Sequence, residues 1–365
     1  MNPAGLRLAR KIKDGARATI GSLQAIRPSI RRERRENARL RTAGTAALDR
    51  LSRPETGPSS RYRRVLVDGM WDNPNYWTRY ALLRAALGLW RSQEHGLLGE
   101  WNRARVSRTF EGLGIVPLED FRITTAGLRR QRERARAMAA TVTSAGDAMD
   151  LTWPEDFPAA VAYDGILRRQ RRGDVDPGDP MLATHIAEQL ACLAAAGVLL
   201  DRGEYDLVVL SHALNFDFAA LAWCALRRGI DTVVLYGNYG SNRFVRIDAP
   251  AALFDFANIP SREQFDTLEP EAFSYMRDKG RVLLEGRLAG TSDDIGAVYA
   301  FQKTLNGMNR ERIVAELGLD PAKPVICVYA SNWFDFPHGA PMVHFIDFRD
   351  WIDATLAVAA ATPEI

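Results

Sequence analysis

The sequence predicts an α/β protein with a Rossmann-like, doubly wound parallel sheet, preceded by a basic N-terminal helix and followed by the start of a second Rossmann-like domain. Short β-rich runs separated by helical stretches begin at Tyr62, which is typical of such sheets. The clearest run, residues 205–210 (YDLVVL), is fully apolar from Leu207, as expected of a strand covered on both faces. A helix over 216–228 and a second apolar run at 232–235 follow it, which completes a βαβ crossover.

Three regions follow from this pattern. Residues 1–60 form a basic helical arm and linker, residues 61–305 the first Rossmann-like domain, and residues 306–365 the beginning of a second one. Since one strand and one helix cannot bury a parallel sheet, we expect the natural chain to continue beyond Ile365. The remaining predicted elements are strands at 64–68, 96–99, 244–247 and 325–328, and helices over 76–90, 103–113, 128–140, 158–171, 181–200, 262–265, 270–278, 294–305, 309–317 and 347–360.

The composition excludes several classes of protein. Of 365 residues, 47% are hydrophobic and 25% are charged, as in ordinary globular proteins. The longest uncharged apolar stretch, residues 190–200, is shorter than the roughly 18 residues of a membrane span. Cys192, Cys224 and Cys327 are widely spaced and suggest neither a disulfide framework nor a zinc site. We therefore expect a reduced, cytoplasmic protein without a metal site.

The positive charge is concentrated at one end of the chain. Of the 48 Lys and Arg and the 45 Asp and Glu, residues 1–64 hold 17 and 5, which leaves 31 and 40 for the remainder. An acidic body argues against nucleic-acid binding. Apolar residues recur every three or four positions from Leu8 to Ile30, so residues 1–45 are predicted to bind an anionic membrane surface through an amphipathic helix. A solvated or partly disordered arm explains the same residues.

Ligands of such sheets bind beyond the carboxyl ends of the strands, so the loops after the strands are the candidate sites. The first loop, residues 69–77, combines aromatic rings with side-chain amides. Aromatic faces with nearby hydrogen-bonding groups fit a sugar ring, and the candidate substrate-binding residues are Asp72, Asn73, Asn75 and Trp77. A helix-capping loop with two buried tryptophans explains these residues as well.

The loop after the clearest strand carries a candidate catalytic base. His212 follows this strand directly, where Ser211 or Asn215 can orient its ring. Asn215 is therefore also a candidate substrate-binding residue at this loop. The alternative is a histidine hydrogen-bonded to backbone in a tight turn, with Asn215 as the cap of the next helix.

Two later loops complete the candidate substrate-binding residues. The loop after the strand at 232–235 has glycines that permit close backbone approach and an arginine that suits a phosphate or carboxylate. The loop after the strand at 325–328 is long for an α/β connection, and its polar residues suit acid–base, substrate-orienting or structural roles. The candidates in these loops are Asn238, Arg243, Asn332, Asp335 and His338. The sequence contains no HExxH, GxSxG or Walker motif.

Five segments also carry a resemblance to a known family. They are DNPNYW (72–77), GLLGEWNRARVSRTFEGLGI (96–115), YDGILR (163–168), YDLVVLSHALNFDFAALAWCALRRGI (205–230) and RERIVAELGLDPAKPVICVYASNWFDFPHG (310–339). Together they resemble bacterial capsular and surface polysaccharide biosynthesis proteins of the GT-B glycosyltransferase type. The resemblance is distributed over most of residues 64–365.

The resemblance implies two facing Rossmann-like domains, with the acceptor held mainly by the first and a nucleotide-sugar by the second, and with neither a metal-binding DxD motif nor another cofactor. It implies that His212 or Asp217 deprotonates the acceptor hydroxyl, that residues 72–77 and 211–217 line the acceptor side, and that residues 332–338 face the interdomain cleft.

The expected function is transfer of a sugar from a nucleotide-sugar to a surface polysaccharide or a lipid-linked acceptor, beside the inner face of the membrane. The alternative is a non-catalytic α/β protein that recruits membrane or partner proteins through its basic arm.

Overall fold

The computed structural model describes five helical positions (35, 38, 39, 42 and 46) and residues 60–71, 74–100, 103–213, 216–236, 242–254, 262–291, 309–328, 334–339 and 345–362. Contacts between Cα atoms divide the chain into two units. Residues 45–260 and 318–365 form the unit that contains the sheet, called the sheet unit below. Residues 1–44 and 261–317 form the other. Nearly all of the predicted basic arm lies outside the described residues.

The sheet unit has a six-stranded, mostly parallel sheet, which confirms the α/β class. Its strands are β1 (Arg64–Gly69), β2 (Gln93–Leu98), β3 (Leu118–Asp120), β4 (Leu207–Leu210), β5 (Asp231–Tyr236) and β6 (Arg243–Arg246). They lie in the order β3-β2-β1-β4-β5-β6. Neighbouring strands are parallel except for β6, which pairs antiparallel with β5. The predicted edge strand at 244–247 is therefore confirmed with a shift of one residue.

Some helices pack on the sheet, and others follow its last strand along the chain. They are α1 (Pro74–Leu87), α2 (Arg103–Gly112), α3 (Thr125–Ala140), α4 (Ala145–Met149), α5 (Ala159–Gln170), α6 (Leu182–Gly203), α7 (Phe216–Arg227), α8 (Arg262–Asp266), α9 (Pro270–Leu288), α10 (Arg310–Leu317) and α11 (Phe348–Ala360). Helices α8, α9 and α10 belong to the other unit.

Both faces of the sheet are buried, because successive strand residues point to opposite sides. Leu66 and Val208 belong to one hydrophobic core, which contains residues of α5, α6 and α7. Val65 and Val209 belong to a second core, which contains residues of α1 and α2. A parallel sheet covered on two sides is the arrangement that the apolar runs in the sequence predict.

Helix α6 is, within the described part of the chain, the one helix long and apolar enough to cross a membrane by length and composition. However, 61% of its most apolar window is buried inside the protein. Ile186, Leu190 and Leu193 lie in the first hydrophobic core. Its packing against neighbouring elements therefore accounts for its apolar composition.

The predicted strand at 325–328 is wrong. These residues form no strand, and the side chains of Val325 and Ile326 are 45% and 60% exposed. An apolar run becomes a strand only where neighbouring strands supply hydrogen bonds and cover, and none of the described strands pairs with this one. The helices predicted on either side of it are present as α10 and α11.

Candidate functional site

The carboxyl ends of β1 and β4 meet in the middle of the sheet. After β1 the chain moves outward to β2 and β3, whereas after β4 it moves to β5 on the other side. Two adjacent parallel strands whose connections leave in opposite directions open a crevice, and ligands of such sheets bind there. The backbone at this crevice carries Met70 and Trp71 after β1, and Ser211 and His212 after β4.

Asp68, near the end of β1, joins the two sides of the crevice. Its Oδ1 accepts the backbone N–H of Met70 at 2.6 Å. Its Oδ2 accepts the backbone N–H of Ser211 at 3.0 Å and the Ser211 hydroxyl at 2.6 Å. Burial raises the pKa of Asp68 to about 6, against the lowering effect of these hydrogen bonds. Above that pH the carboxylate is ionised and can only accept hydrogen bonds.

His212 belongs to the same hydrogen-bond network, with its Nδ1 at 3.1 Å from the Ser211 Oγ. Because the Ser211 hydroxyl donates to Asp68, its oxygen accepts from an Nδ1–H, and the lone pair of the neutral ring is then on Nε2. Burial, followed by the charges of Arg79 and Arg168, lowers the pKa of His212 to about 4. The ring is therefore neutral near pH 7, which is the state that a general base needs.

The order of the three groups differs from that of a serine-nucleophile triad. In such a triad the histidine stands between the carboxylate and the serine. Here Ser211 lies between Asp68 and His212 and is 4% exposed. Its hydroxyl donates a hydrogen bond to the carboxylate of Asp68. Ser211 is thus unsuited to attack a substrate, and the reactive group of the network is the imidazole of His212.

Trp71 forms an accessible aromatic wall beside this imidazole. Its side chain is 47% exposed, and its ring centroid lies 4.4 Å from that of His212 with an interplanar angle of 56°. Phe218 from the first turn of α7 also contacts the His212 ring, at 5.3 Å between centroids. An exposed indole next to a base suits a ligand that has both an apolar face and hydroxyl groups.

Asp217, the second predicted catalytic residue, lies in the first turn of α7 and is exposed. Burial by the surrounding protein nevertheless raises the pKa of its carboxyl group. Its Oδ1 lies 3.5 Å from the Sγ of Cys192 on α6. Asp217 is five residues beyond His212. It remains a candidate catalytic base.

Asp335 and His338, which follow residue 328, lie against helix α5. Each of them pairs there with a side chain of opposite charge. The Nδ1 of His338 lies 2.6 Å from Oδ1 of Asp164, and its backbone N–H donates to Oδ2 at 3.0 Å. Asp335 pairs with Arg168 at 2.6 Å. Of the three roles considered for these residues, the contacts favour the structural one.

Further contacts secure the same segment to α5. Tyr163 donates its hydroxyl to Oδ2 of Asp347, the N-cap of α11, at 2.6 Å. The Arg168 guanidinium also lies over the ring of Phe336, 4.8 Å from its centroid. We call these contacts, with the Asp164–His338 and Arg168–Asp335 pairs, the α5 clasp. Because the charge of Arg168 also acts on His212, the clasp and the crevice share a residue.

The prediction that Trp77 offers its ring to a ligand is corrected. Trp77 is 1% exposed, and its ring packs edge-on against Phe110 at 5.3 Å between centroids. It faces the core because it lies on the inner side of α1, where the sheet covers it. The two hypotheses for this loop thus divide between its tryptophans: Trp77 is a core residue and Trp71 is accessible.

The other predicted residues lie elsewhere or outside the described part. Arg243 begins β6 opposite Tyr236, so it lies at the carboxyl edge of the sheet but two strands away from β4. The described part of the chain does not include the side chain of Asn75. It also does not include Asp72, Asn73, Asn215, Asn238 and Asn332.

Asp68 and Trp71 were not among the predicted site residues, whereas Ser211 was predicted to orient His212 and lies within hydrogen-bond distance of its Nδ1. A weak signal for Asp68 is present, since a charged residue that ends an otherwise apolar β-run needs buried hydrogen-bond partners. The contact of Trp71 with His212 and that of Ser211 with Asp68 both require β1 to lie next to β4. These two strands are far apart in sequence.

Among the described residues, no group of three or more His, Cys, Asp or Glu side chains is placed to hold a metal ion. No family model, no curated protein and no solved structure matches this chain.

Proposed function

We propose that this protein is a glycosyltransferase that moves a sugar from a nucleotide-sugar to a hydroxyl group of a surface polysaccharide or lipid-linked acceptor. The observation that carries the proposal is the neutral imidazole of His212 beside the exposed indole of Trp71, at the crevice between β1 and β4. The distributed resemblance of the sequence to GT-B enzymes supports the same class of reaction.

In this proposal each residue has one task. The acceptor sugar stacks on Trp71, which brings a hydroxyl group to Nε2 of His212. Nε2 takes the hydroxyl proton while the oxygen forms a bond to the anomeric carbon of the donor. The bond between that carbon and the diphosphate oxygen breaks, and the nucleoside diphosphate leaves with the electron pair.

A ligand screen tests the class of function before the substrate is known. Binding to the folded state raises the stability by about 2.7 kcal/mol when a ligand is present at 100 times its Kd. We expect the melting temperature to rise by a few degrees with at least one member of a panel of nucleotide-sugars and nucleoside diphosphates. A response to anionic phospholipid vesicles alone would contradict a transferase and support the recruitment alternative.

A further inference from the structure

We propose that Asp68 is the positioning residue of the His212 site: through Ser211 it fixes the tautomer of His212, and through the backbone of Met70 it fixes the loop that carries Trp71. The consequence for catalysis rests on the proposed function. The tautomer itself is a property of the protein without substrate, so it can be tested on its own.

Three hydrogen bonds converge on the carboxylate of Asp68. Asp68 is 1% exposed and accepts three hydrogen bonds, from the N–H of Met70 and from the N–H and hydroxyl of Ser211. Hydrogen bonds to an ionised acceptor are shorter and stronger than those between neutral groups. The two shortest of the three, both 2.6 Å, come from Met70 and from the Ser211 hydroxyl.

The ionised carboxylate of Asp68 fixes the direction of the hydrogen bonds in this network. An ionised carboxylate has no proton to give, so the Ser211 hydroxyl must donate to it. The lone pairs of that oxygen then meet Nδ1 of His212 at 3.1 Å, and a stable contact needs a proton on Nδ1. The network therefore selects the tautomer with the lone pair on Nε2.

Asp68 lies between the two loops that form the crevice. Strand β1 pairs with β4 up to Val67 and Val209, so Asp68 is the next residue at the crevice. Met70 directly precedes Trp71, and Ser211 directly precedes His212. One side chain therefore sets the backbone of both walls of the site, which accounts for the ring contact between Trp71 and His212.

A purely structural role makes a different prediction from a positioning role. If Asp68 only joined the ends of β1 and β4, its hydrogen bonds from the backbone N–H groups of Met70 and Ser211 would be sufficient. The Ser211 hydroxyl would then have no part in its role. The variant Ser211→Ala keeps the backbone N–H that donates to Asp68 and removes the hydroxyl that reaches His212. It separates the two roles, and it avoids the buried, unpaired N–H groups that loss of the Asp68 carboxylate would leave.

The experiment is ¹⁵N NMR of the histidine side chains in the full chain at pH 8. The chain has five histidines, and His212→Gln identifies the signals of His212. In the wild type we expect an Nδ1 shift typical of a protonated nitrogen and an Nε2 shift typical of an unprotonated one. In Ser211→Ala we expect the two shifts to move toward the opposite tautomer. The matched control is Ser92→Ala, which removes a hydroxyl that donates to the Tyr62 carbonyl at 2.6 Å, and it should leave the His212 signals in place.

Two results would overturn the inference: a wild-type His212 protonated on Nε2, or unchanged His212 shifts in Ser211→Ala. Asp68→Ala, which cannot accept the Ser211 hydroxyl, should shift the tautomer in the same direction as Ser211→Ala. A tautomer that changes as expected in a protein that transfers no sugar would leave the inference standing and remove the proposed function.

Discussion

The surroundings of His212 suit it to the role of base that we propose. Burial and two arginines lower the pKa of the ring to about 4. The contact with the Ser211 oxygen favours the tautomer in which the ring proton is on Nδ1. A base that is already neutral loses nothing to protonation across the physiological range. The pKa of Asp68 in the same site is about 6.

The pH dependence of the reaction follows from this order of pKa values. Below about pH 6 Asp68 takes up a proton, so the Ser211 hydroxyl is no longer forced to donate to it. We expect kcat/KM to fall as the pH drops through about 6 in the wild type. In Asp68→Asn, which is neutral at every pH, the rate should be low and nearly flat from pH 5 to pH 8. An acid limb near pH 6 that persists in Asp68→Asn would assign it to another group.

Trp71 and Trp77 should respond to substitution in opposite ways. Trp71→Ala removes an exposed stacking face, worth about 1 kcal/mol, so we expect KM for the acceptor to rise about fivefold to tenfold with little change in the unfolding free energy. Trp71→Phe should retain most of the affinity. Trp77→Ala empties a core site and should lower the unfolding free energy by about 3–5 kcal/mol.

Steady-state kinetics and urea unfolding of the same variants measure both effects. Trp90→Ala is the control for Trp71→Ala, since Trp90 is a half-buried tryptophan outside the crevice. Equal changes of KM in Trp71→Ala and Trp90→Ala would remove Trp71 from the acceptor site.

At the scale of elements, helix α5 connects the crevice to the C-terminal segment. It contributes Tyr163, Asp164 and Arg168 to the α5 clasp. Burial lowers the pKa of His338, but the hydrogen bond and the charge of Asp164 outweigh this effect and the pKa is raised. The charged form of His338 is thus the form that binds α5.

The clasp should therefore weaken with rising pH. A histidine whose pKa is higher in the folded than in the unfolded protein stabilises the fold fully below its unfolded value of about 6.5, and this stabilisation is lost as the pH rises through the folded pKa. We expect His338→Gln to lower the unfolding free energy by about 1–3 kcal/mol at pH 6 and by much less at pH 9.

Urea unfolding at the two pH values measures this difference. His185→Gln is the control, because burial lowers the pKa of His185. Its stabilising effect relative to glutamine should therefore shrink as the pH falls, in the opposite direction. Equal destabilisation by His338→Gln at pH 6 and pH 9 would show that the charge of His338 does not hold the clasp.

Local apolar runs were sufficient to predict some elements and not others. Strands β4 and β5 were predicted because each contains an apolar run, and β4 is buried along its whole length. Residues 325–328 have the same composition, yet they form no strand because pairing with a neighbour decides the outcome. Strand β3, with the sequence LED, has no apolar run, and its pairing with β2 defines it as a strand.

The site was predictable to the same extent. His212 was found because it follows the clearest strand in the chain. Asp68 and Trp71 matter because β1 lies next to β4, and His338 is structural because it meets Asp164 on α5. The pairing of β1 with β4 and the contact of His338 with Asp164 both involve residues that are far apart in sequence. A local sequence pattern therefore does not predict them.

In the whole molecule, the site and the basic charge lie in different parts of the chain. Residues 1–64 hold 17 of the 48 Lys and Arg, whereas the remainder, which contains the crevice, is acidic in sum. Attraction to an anionic membrane would thus come from the N-terminal segment, and acceptor chemistry from the sheet unit. The two activities should be separable by substitution.

The most direct test of the central claim is transfer of labelled sugar from a panel of nucleotide-sugars to polysaccharide and lipid-linked acceptors at pH 8. The full-length wild type, His212→Gln and the control His185→Gln are compared. We predict transfer by the wild type and by His185→Gln, and a rate lower by about 10²- to 10⁴-fold in His212→Gln, with that variant folded as judged by its melting temperature. Equal rates in the wild type and in a folded His212→Gln would contradict the assignment of His212 as the base.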